Sequence, residues 1–309
     1  MGTGGGARLR LEAGGAGGSG GAGGSGQSGL IGEVVLDRPE AMNSLNTATL
    51  GELTEHFTAL GADPDVRVVI VSAAGERAFC AGADLKERAA MSDAQVMAQR
   101  PAFRAAFAAL LALPQPAIAA VHGFALGGGC ELALSCDVIV ADATAVLGLP
   151  ETTVGLVPGC GGTQLLARRV GPGRAADLIF SGRRVGADEA AAIGLADRVV
   201  PAGQAREKAF ELGRQIAANS PVAVRAAKRA LRNGAGLTLA AALDVEDAAW
   251  RTAASSADRR EGIAAFAEKR RPAWPSACGS QARSEDRSQE RSGGRSGDRS
   301  EHGGSGAGV

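Results

Sequence analysis

The sequence predicts an α/β protein: a core of strands and helices to about residue 200, then a helical C-terminal section. Three observations predict it. VRVVIVS (66–72) is a near-continuous apolar run, the kind of strand buried on both faces, and AIAAVHG (117–123) reads as a further strand. Segments of helical spacing separate these runs at the interval of βαβ units, which points to a mixed or parallel sheet. After Gly162 the helical spacing is almost unbroken, with one more short strand at DRVVP (197–201).

In chain order, RLRLE (8–12) and GEVVLD (32–37) alternate in character on either side of residues 13–29, almost entirely Gly, Ala and Ser. That pattern predicts a hairpin with an oversized flexible tip. VVLD (34–37) reads as a strand that Arg38-Pro39 ends. Thr47 is the expected cap of a helix whose Leu50, Leu53, Phe57 and Leu60 share one face. Asp63-Pro64 turns the chain into the 66–72 strand, and AAGERAFCAGADL follows as a loop. A mostly helical region then runs to Leu113, with a break expected at Pro101. CELALSC is the next helix, DVIVA a strand and AVLGL a short strand; the last helices are expected at 203–218, 221–232, 238–255 and 258–269. From Ser276 the chain is Ser, Gly, Arg, Glu and Asp, with an RS dipeptide recurring, and reads as a solvated disordered tail. Four regions result: a Gly-rich N-terminal segment (1–29), the α/β core (30–200), the helical C-terminal region (201–275) and the tail (276–309).

Composition excludes several function classes. Thirty-three basic residues balance thirty-three acidic ones over 309 residues, so no global field favours nucleic acid or a membrane surface. No apolar run reaches the roughly 20 residues that span a bilayer. The N-terminus has no continuous apolar stretch, so no secretory signal is expected, and its Arg-poor, Gly-rich start makes a poor transit peptide. Cys80, Cys130, Cys136, Cys160 and Cys278 are odd in number and form no C-x-x-C pair. Reduced thiols in a cytoplasmic protein are the expectation, rather than disulfides or a metal site.

The chemistry concentrates in Val121–Gln164. Gly127-Gly128-Gly129 stands between a strand and a helix, Glu131 lies in the first turn of that helix, and Glu151 follows Pro150 after a second apolar run. GGGCE lacks G-x-G-x-x-G spacing and the following acidic residue of a ribose binder; GCGGTQ lacks the Lys-Ser/Thr of a phosphate loop. Instead two loops, AGAD (81–84) and GGG (127–129), offer backbone N–H groups where strands give way to helices. Two such donors suit a carbonyl oxygen that gains negative charge, and two nearby carboxyls suit proton transfer at the adjoining carbons. Spacing alone leaves open plain turn and cap roles for these residues. His122, before the glycine loop, reads as structural.

Four segments resemble one known family. FCAGADLKE (79–87), AAVHGFALGGGCELALSCD (119–137), GLPETTVGLVPGCGGTQLLARRVG (148–171) and DRREGIAAFAEKRRPAW (258–274) are similar, in order, to the enoyl-CoA hydratase/isomerase (crotonase) family, over about Glu33 to Trp274. The resemblance implies a crotonase-like spiral of ββα units, a C-terminal helical trimerisation region, an acyl-CoA thioester substrate, and a homotrimer or dimer of trimers. It implies no separate cofactor, because coenzyme A is part of the substrate. It puts the oxyanion hole on the amides of Ala83 and Gly128. It makes Glu131 the base that activates water for attack at C3, and Glu151 the acid that protonates C2. Contacts to the coenzyme A thioester are implied for Glu40, Ala41, Met42, Ala81, Asp84, Leu85, Gly127 and Pro150, and for Phe266 and Lys269, often from a neighbouring subunit. Retention of both glutamates favours hydration of trans-2-enoyl-CoA. A Δ3-Δ2 isomerase or a branched-chain (methylglutaconyl-like) hydratase is the alternative, and a CoA- or RNA-associated scaffold the non-enzyme one. Relatives that bind RNA use a Lys-rich early helix, whereas TATLGELTEHFTAL (47–60) has no lysine and two glutamates. An acyl pocket's far wall is expected from the region around 88–113, whose Ala102, Ala105, Ala106, Ala108 and Ala109 suit a roomy lining or helix packing.

Overall fold

The computed structural model describes residues 6–14 and 29–277. The expected Gly-rich hairpin tip and the Ser/Arg tail lie outside these, apart from their edges, as does Cys278.

Among the described residues, ten strands form two sheets. Strand β1 (Ala7–Ala13) pairs antiparallel with β2 (Leu30–Leu36), so the expected hairpin is present. From β2 onward, β3 (Val66–Ala73), β5 (Ala117–Val121), β7 (Val138–Asp142) and β10 (Arg198–Val200) add in parallel, completing a six-stranded sheet in the order β1-β2-β3-β5-β7-β10. The second sheet holds the three-residue strands β4 (Ala78–Cys80), β6 (Phe124–Leu126) and β8 (Val146–Gly148) in parallel, closed by the antiparallel β9 (Arg184–Gly186). The sequence reading placed β4 in a loop and left out β9; three residues are too few to show a period.

The repeat is now visible. A long strand enters the large sheet, a short one enters the small sheet, and a helix returns: β3-β4, then α2 (Leu85–Ala89) and α3 (Asp93–Leu111); β5-β6, then α4 (Gly128–Ser135); β7-β8, then a 3-10 turn (Pro150–Val154) and α5 (Gly162–Val170). This is a spiral of ββα units. The large sheet is buried on both faces, as its apolar runs demand. Val69, Val71, Ala117, Ala119 and Val121 face the core that the small sheet and the inner helices share. Val68, Ile70, Ile118 and Ala120 alternate with them and meet Ala209 and Phe210 of α8 (Ala205–Ala217).

Helix α1 (Thr47–Ala62) covers the core with Leu50, Leu53, Phe57 and Leu60, each 0–2% exposed; burial on that scale stabilises by roughly 1.5–3 kcal/mol per side chain. Its cap is Asn46, whose side chain accepts from the Thr49 amide at 2.8 Å, and not Thr47. The Thr47 hydroxyl instead accepts from Gln99 Nε2 at 2.8 Å and ties α1 to α3. Pro101 does not break α3, which runs through it. The carbonyl that loses a partner there belongs to Met97, a residue 71% exposed, so that turn of the helix is open to solvent and the usual cost is reduced.

The C-terminal helices fall close to their expected positions: α8, α9 (Pro221–Gly234), α10 (Leu239–Ala254) and α11 (Ala257–Ala267). Lys228 and Arg232 of α9 bind Asp137 at 2.7 and 2.8 Å and clamp that helix to the core. Beyond it a broad apolar surface stays open, with Leu231, Leu239, Trp250, Ile263 and Phe266 between 59% and 87% exposed. Among the described residues, no helix is long and apolar enough to cross a membrane, and Cys80, Cys130, Cys136 and Cys160 are free thiols.

Candidate active site

Because β4, β6 and β8 run parallel as neighbours, the turns that follow them sit side by side at the carboxyl ends of one small sheet, the edge where α/β folds gather ligands. Those turns carry Ala83, Gly128 and Glu151. A cavity of about 590 Å³ opens there, lined by Ala83, Gly128, Glu131 and Glu151 among others.

The first two turns nearly touch. Gly82 has φ +94°, a conformation that disfavours side chains, and a Cβ placed on it would lie 2.8 Å from the Leu126 carbonyl and 3.2 Å from the Gly128 nitrogen. Only glycine lets the AGAD turn approach the GGG turn this closely. Neighbouring amides are committed: Gly82 N–H to Cys80 Sγ at 3.4 Å, Gly127 N–H to the Gly148 carbonyl at 2.9 Å, and Asp84 N–H to the Leu45 carbonyl at 3.0 Å. The Ala83 and Gly128 amides donate to no acceptor among the described residues, and Gly128 is the first residue of α4. Two free donors in adjacent turns, one at a helix N-terminus, form a seat for an oxyanion.

The two carboxyls differ in setting. Glu131 is 2% exposed, and its Oε1 accepts from the Cys160 amide at 2.6 Å and the Gly162 amide at 2.8 Å. Gly162 permits that approach, since a Cβ there would lie 3.0 Å from the same oxygen. Burial pushes the Glu131 carboxyl above its ordinary value, while the two amides and the nearby Arg100 pull the other way. Glu151 has no such support for a charge: its Oε2 is buried without a partner. Burial, reinforced by the Glu131 charge and opposed by its own amide, raises it to about 7. One carboxyl is therefore equipped to carry a negative charge, the other to keep a proton near neutrality. The Glu151 carboxyl also lies next to the glycine turn, where a Cβ on Gly127 would meet its Oε1 at 3.1 Å.

That setting has a stability consequence. A carboxyl whose folded value is about 7 against an ordinary 4.5 holds its proton more tightly folded than unfolded. Its contribution is complete below pH 4.5 and is lost as pH rises through 7. Glu151→Gln, uncharged at every pH, therefore melts higher than the wild type at pH 8, by on the order of 2 kcal/mol after solvent screening. The difference closes below pH 4.5, and melting curves at both pH values check it.

Of the other predicted contacts, Ala81, Leu85, Gly127 and Pro150 line the cavity. Met42 lies beside it, its carbonyl accepting from the Ala81 amide at 3.0 Å, and Glu40 and Ala41 form the 3-10 turn that leads to it. Asp84 does not line the cavity. It caps α2 through the Lys86 and Glu87 amides and binds Arg38 at 2.9 Å, and these partners hold its carboxyl below the ordinary value against the opposing effect of burial. Phe266 and Lys269 lie on and after α11 and are not among the residues lining the cavity of this chain.

The sequence reading missed the amides of Cys160 and Gly162 and three arginines of the lining, Arg88, Arg100 and Arg184. The GCGG run marked the first two as a close backbone approach, whereas a helical pattern gave no sign of which arginines turn inward. The α3 wall is Val96, Met97, Arg100 and Phe103, while Ala102, Ala106 and Ala109 pack into the core. The wall therefore comes from the expected region 88–113, and none of its alanines 102–109 lines the cavity. His122 turns no group to the cavity, and its Nε2 is buried without a partner.

The spiral of ββα units and this site define a crotonase-fold protein. The family model described as enoyl-CoA hydratase/isomerase matches residues 26–277. The crystal structure of an enoyl-CoA hydratase from Bacillus anthracis superposes with a TM-score of 0.78 at 46% identity, covering 80% of this chain and 95% of that one. The short-chain-enoyl-CoA hydratase of Clostridium acetobutylicum is 41% identical over 238 residues, 77% of this chain and 91% of its own length. The human mitochondrial enoyl-CoA hydratase domain-containing protein 2 is 42% identical over 246 residues, 78% of this chain and 84% of its own. The chain belongs to the enoyl-CoA hydratase/isomerase family.

Proposed function

We propose that this protein adds water to trans-2-enoyl-CoA thioesters and releases 3-hydroxyacyl-CoA. The observation that carries this reading is the pairing of two differently tuned carboxyls with two free amides in one cavity. With the thioester oxygen between the Ala83 and Gly128 amides, C2 and C3 of the acyl group fall within the span of Glu151 and Glu131. Glu131 takes a proton from water as its oxygen bonds to C3. The π electrons of the double bond move toward C1, and the negative charge gathers on the thioester oxygen, where the amides stabilise it. The enolate then collapses as C2 takes the proton of Glu151. One water is consumed, and transfer of the proton from Glu131 to Glu151 through solvent resets the site. Coenzyme A enters and leaves with the acyl group, so the reaction balances without a separate cofactor.

The open apolar surface on α9 to α11 supports assembly as a homotrimer or dimer of trimers. In such an assembly Phe266 and Lys269 would serve a neighbour's coenzyme A, with Glu40, Ala41 and Met42 beside the thioester arm. A cytoplasmic setting fits the free thiols. An isomerase needs only one proton shuttle, and two carboxyls in the cavity favour hydration over that alternative.

The test follows the loss of the enoyl thioester's ultraviolet absorbance with crotonyl-CoA and longer enoyl-CoAs. We expect turnover with a bell-shaped pH profile. Its alkaline limb falls near pH 7, where Glu151 gives up the proton that C2 requires, and its acid limb falls as Glu131 is protonated. Folded protein that binds coenzyme A and turns over none of these thioesters would sink the reading.

A further inference from the structure

Where α3 lines the cavity it is apolar at Val96, Met97 and Phe103, yet Arg88 of α2 lines the cavity too. This arginine is held in place. Its guanidinium carbon stands 5.0 Å from the centroid of the Phe103 ring, which is 3% exposed. Its Nε donates to Gln99 Oε1 at 3.3 Å. Gln99 is itself 5% exposed, and its Nε2 is spent on Thr47 Oγ1 and Glu87 Oε2, both at 2.8 Å, which fixes the direction of its acceptor. The stack and the Nε bond leave both Nη groups of Arg88 without a protein partner, and no carboxylate lies within ion-pair distance of Arg88 or Arg100 among the described residues.

Arg100 approaches from α3, where it donates to the Gly159 carbonyl and to Cys160 Sγ. Its Nη1 stands 3.8 Å from that sulfur, on a thiol that burial pushes up to about 12. The Cys160 amide is the one that binds Glu131. Arg100 thus stands at the Glu131 end of the cavity, which the hydratase reading makes the C3 side, and Arg88 lines the same cavity against Phe103 of α3. A positioned cation in a half-buried, largely apolar wall is unfavourable unless an anion completes it.

We propose that Arg88, assisted by Arg100, is a specificity-determining site for a carboxylate carried by the acyl group beyond C3, so that the preferred substrate is a short 2-enoyl thioester ending in a carboxylate. This deepens the hydratase reading and rests on it for the orientation of the acyl chain. The phosphates of coenzyme A are the other anionic source, and the experiment separates them.

The full chain is assayed with glutaconyl-CoA, whose acyl group ends in a carboxylate, and with uncharged crotonyl-CoA; saturated glutaryl-CoA and butyryl-CoA compete as inhibitors. We expect kcat/KM to favour glutaconyl-CoA by at least tenfold and glutaryl-CoA to bind more tightly than butyryl-CoA by a similar factor. Arg88→Met should cut both ratios at least tenfold, and Arg88→Lys should restore part of each. A wild type that favours the uncharged thioesters overturns the proposal. So does an Arg88→Met protein that weakens both thioesters and free coenzyme A equally, since that outcome assigns the arginine to the phosphates. If neither thioester is hydrated, the hydratase reading fails, and the glutaryl-to-butyryl binding ratio still decides the carboxylate site.

Discussion

Replacing Glu131 by Gln lowers kcat for hydration by about 10³-fold or more and leaves KM within a few-fold of the wild type, the range of a lost general base. The amide keeps an oxygen for the Cys160 and Gly162 donors at 2.6 and 2.8 Å, so the loop 159–162 stays in place. What it cannot do is accept the proton of water. Substrate affinity comes from the cavity and the oxyanion turns, which the change does not touch, and steady-state kinetics separate the two effects. An equal fall in kcat and rise in KM would instead mark Glu131 as a loop-positioning residue.

Gly82→Ala lowers kcat by about 10²–10³-fold, the size of the effect when one oxyanion donor is lost. At φ +94° alanine is strained, and its Cβ at 2.8 Å from the Leu126 carbonyl forces the AGAD turn away from the GGG turn. The Ala83 amide moves with it, and the two donors no longer converge. The strain itself costs on the order of 1–3 kcal/mol, so circular dichroism and coenzyme A binding accompany the kinetics. A folded variant with undiminished kcat would show that the two amides do not act together.

Much of this was legible before any coordinates. The apolar runs at 66–72 and 117–123 are strands whose alternate residues serve two cores, as continuous hydrophobicity implied. Glu131 and Glu151, 20 positions apart in sequence, were marked by the glycine turns near them and do line one cavity with Ala83 and Gly128. The failures have physical causes. Strands β4 and β9 hold three residues each and owe their pairing to neighbours distant in sequence. Pro101 is tolerated on a solvent-exposed turn of α3, where the acceptor it orphans belongs to the exposed Met97. Asn46 takes the cap because its side chain reaches the Thr49 amide, while Thr47 is drawn to Gln99 on another helix. The arginines of the cavity were invisible because which face of α2 and α3 turns inward is settled by tertiary packing, and neither helix has a strong apolar stripe.

In the proposed reaction Glu131 and Glu151 together place the elements of water across the enoyl double bond. This is tested most directly by incubating crotonyl-CoA with the protein in heavy-oxygen water and weighing the acyl-CoA products. We expect a 3-hydroxyacyl-CoA carrying one heavy oxygen from the wild-type protein, and at most trace label from Glu131→Gln or Glu151→Gln. Unlabelled starting thioester from folded wild-type protein, or full labelling by either variant, would contradict it.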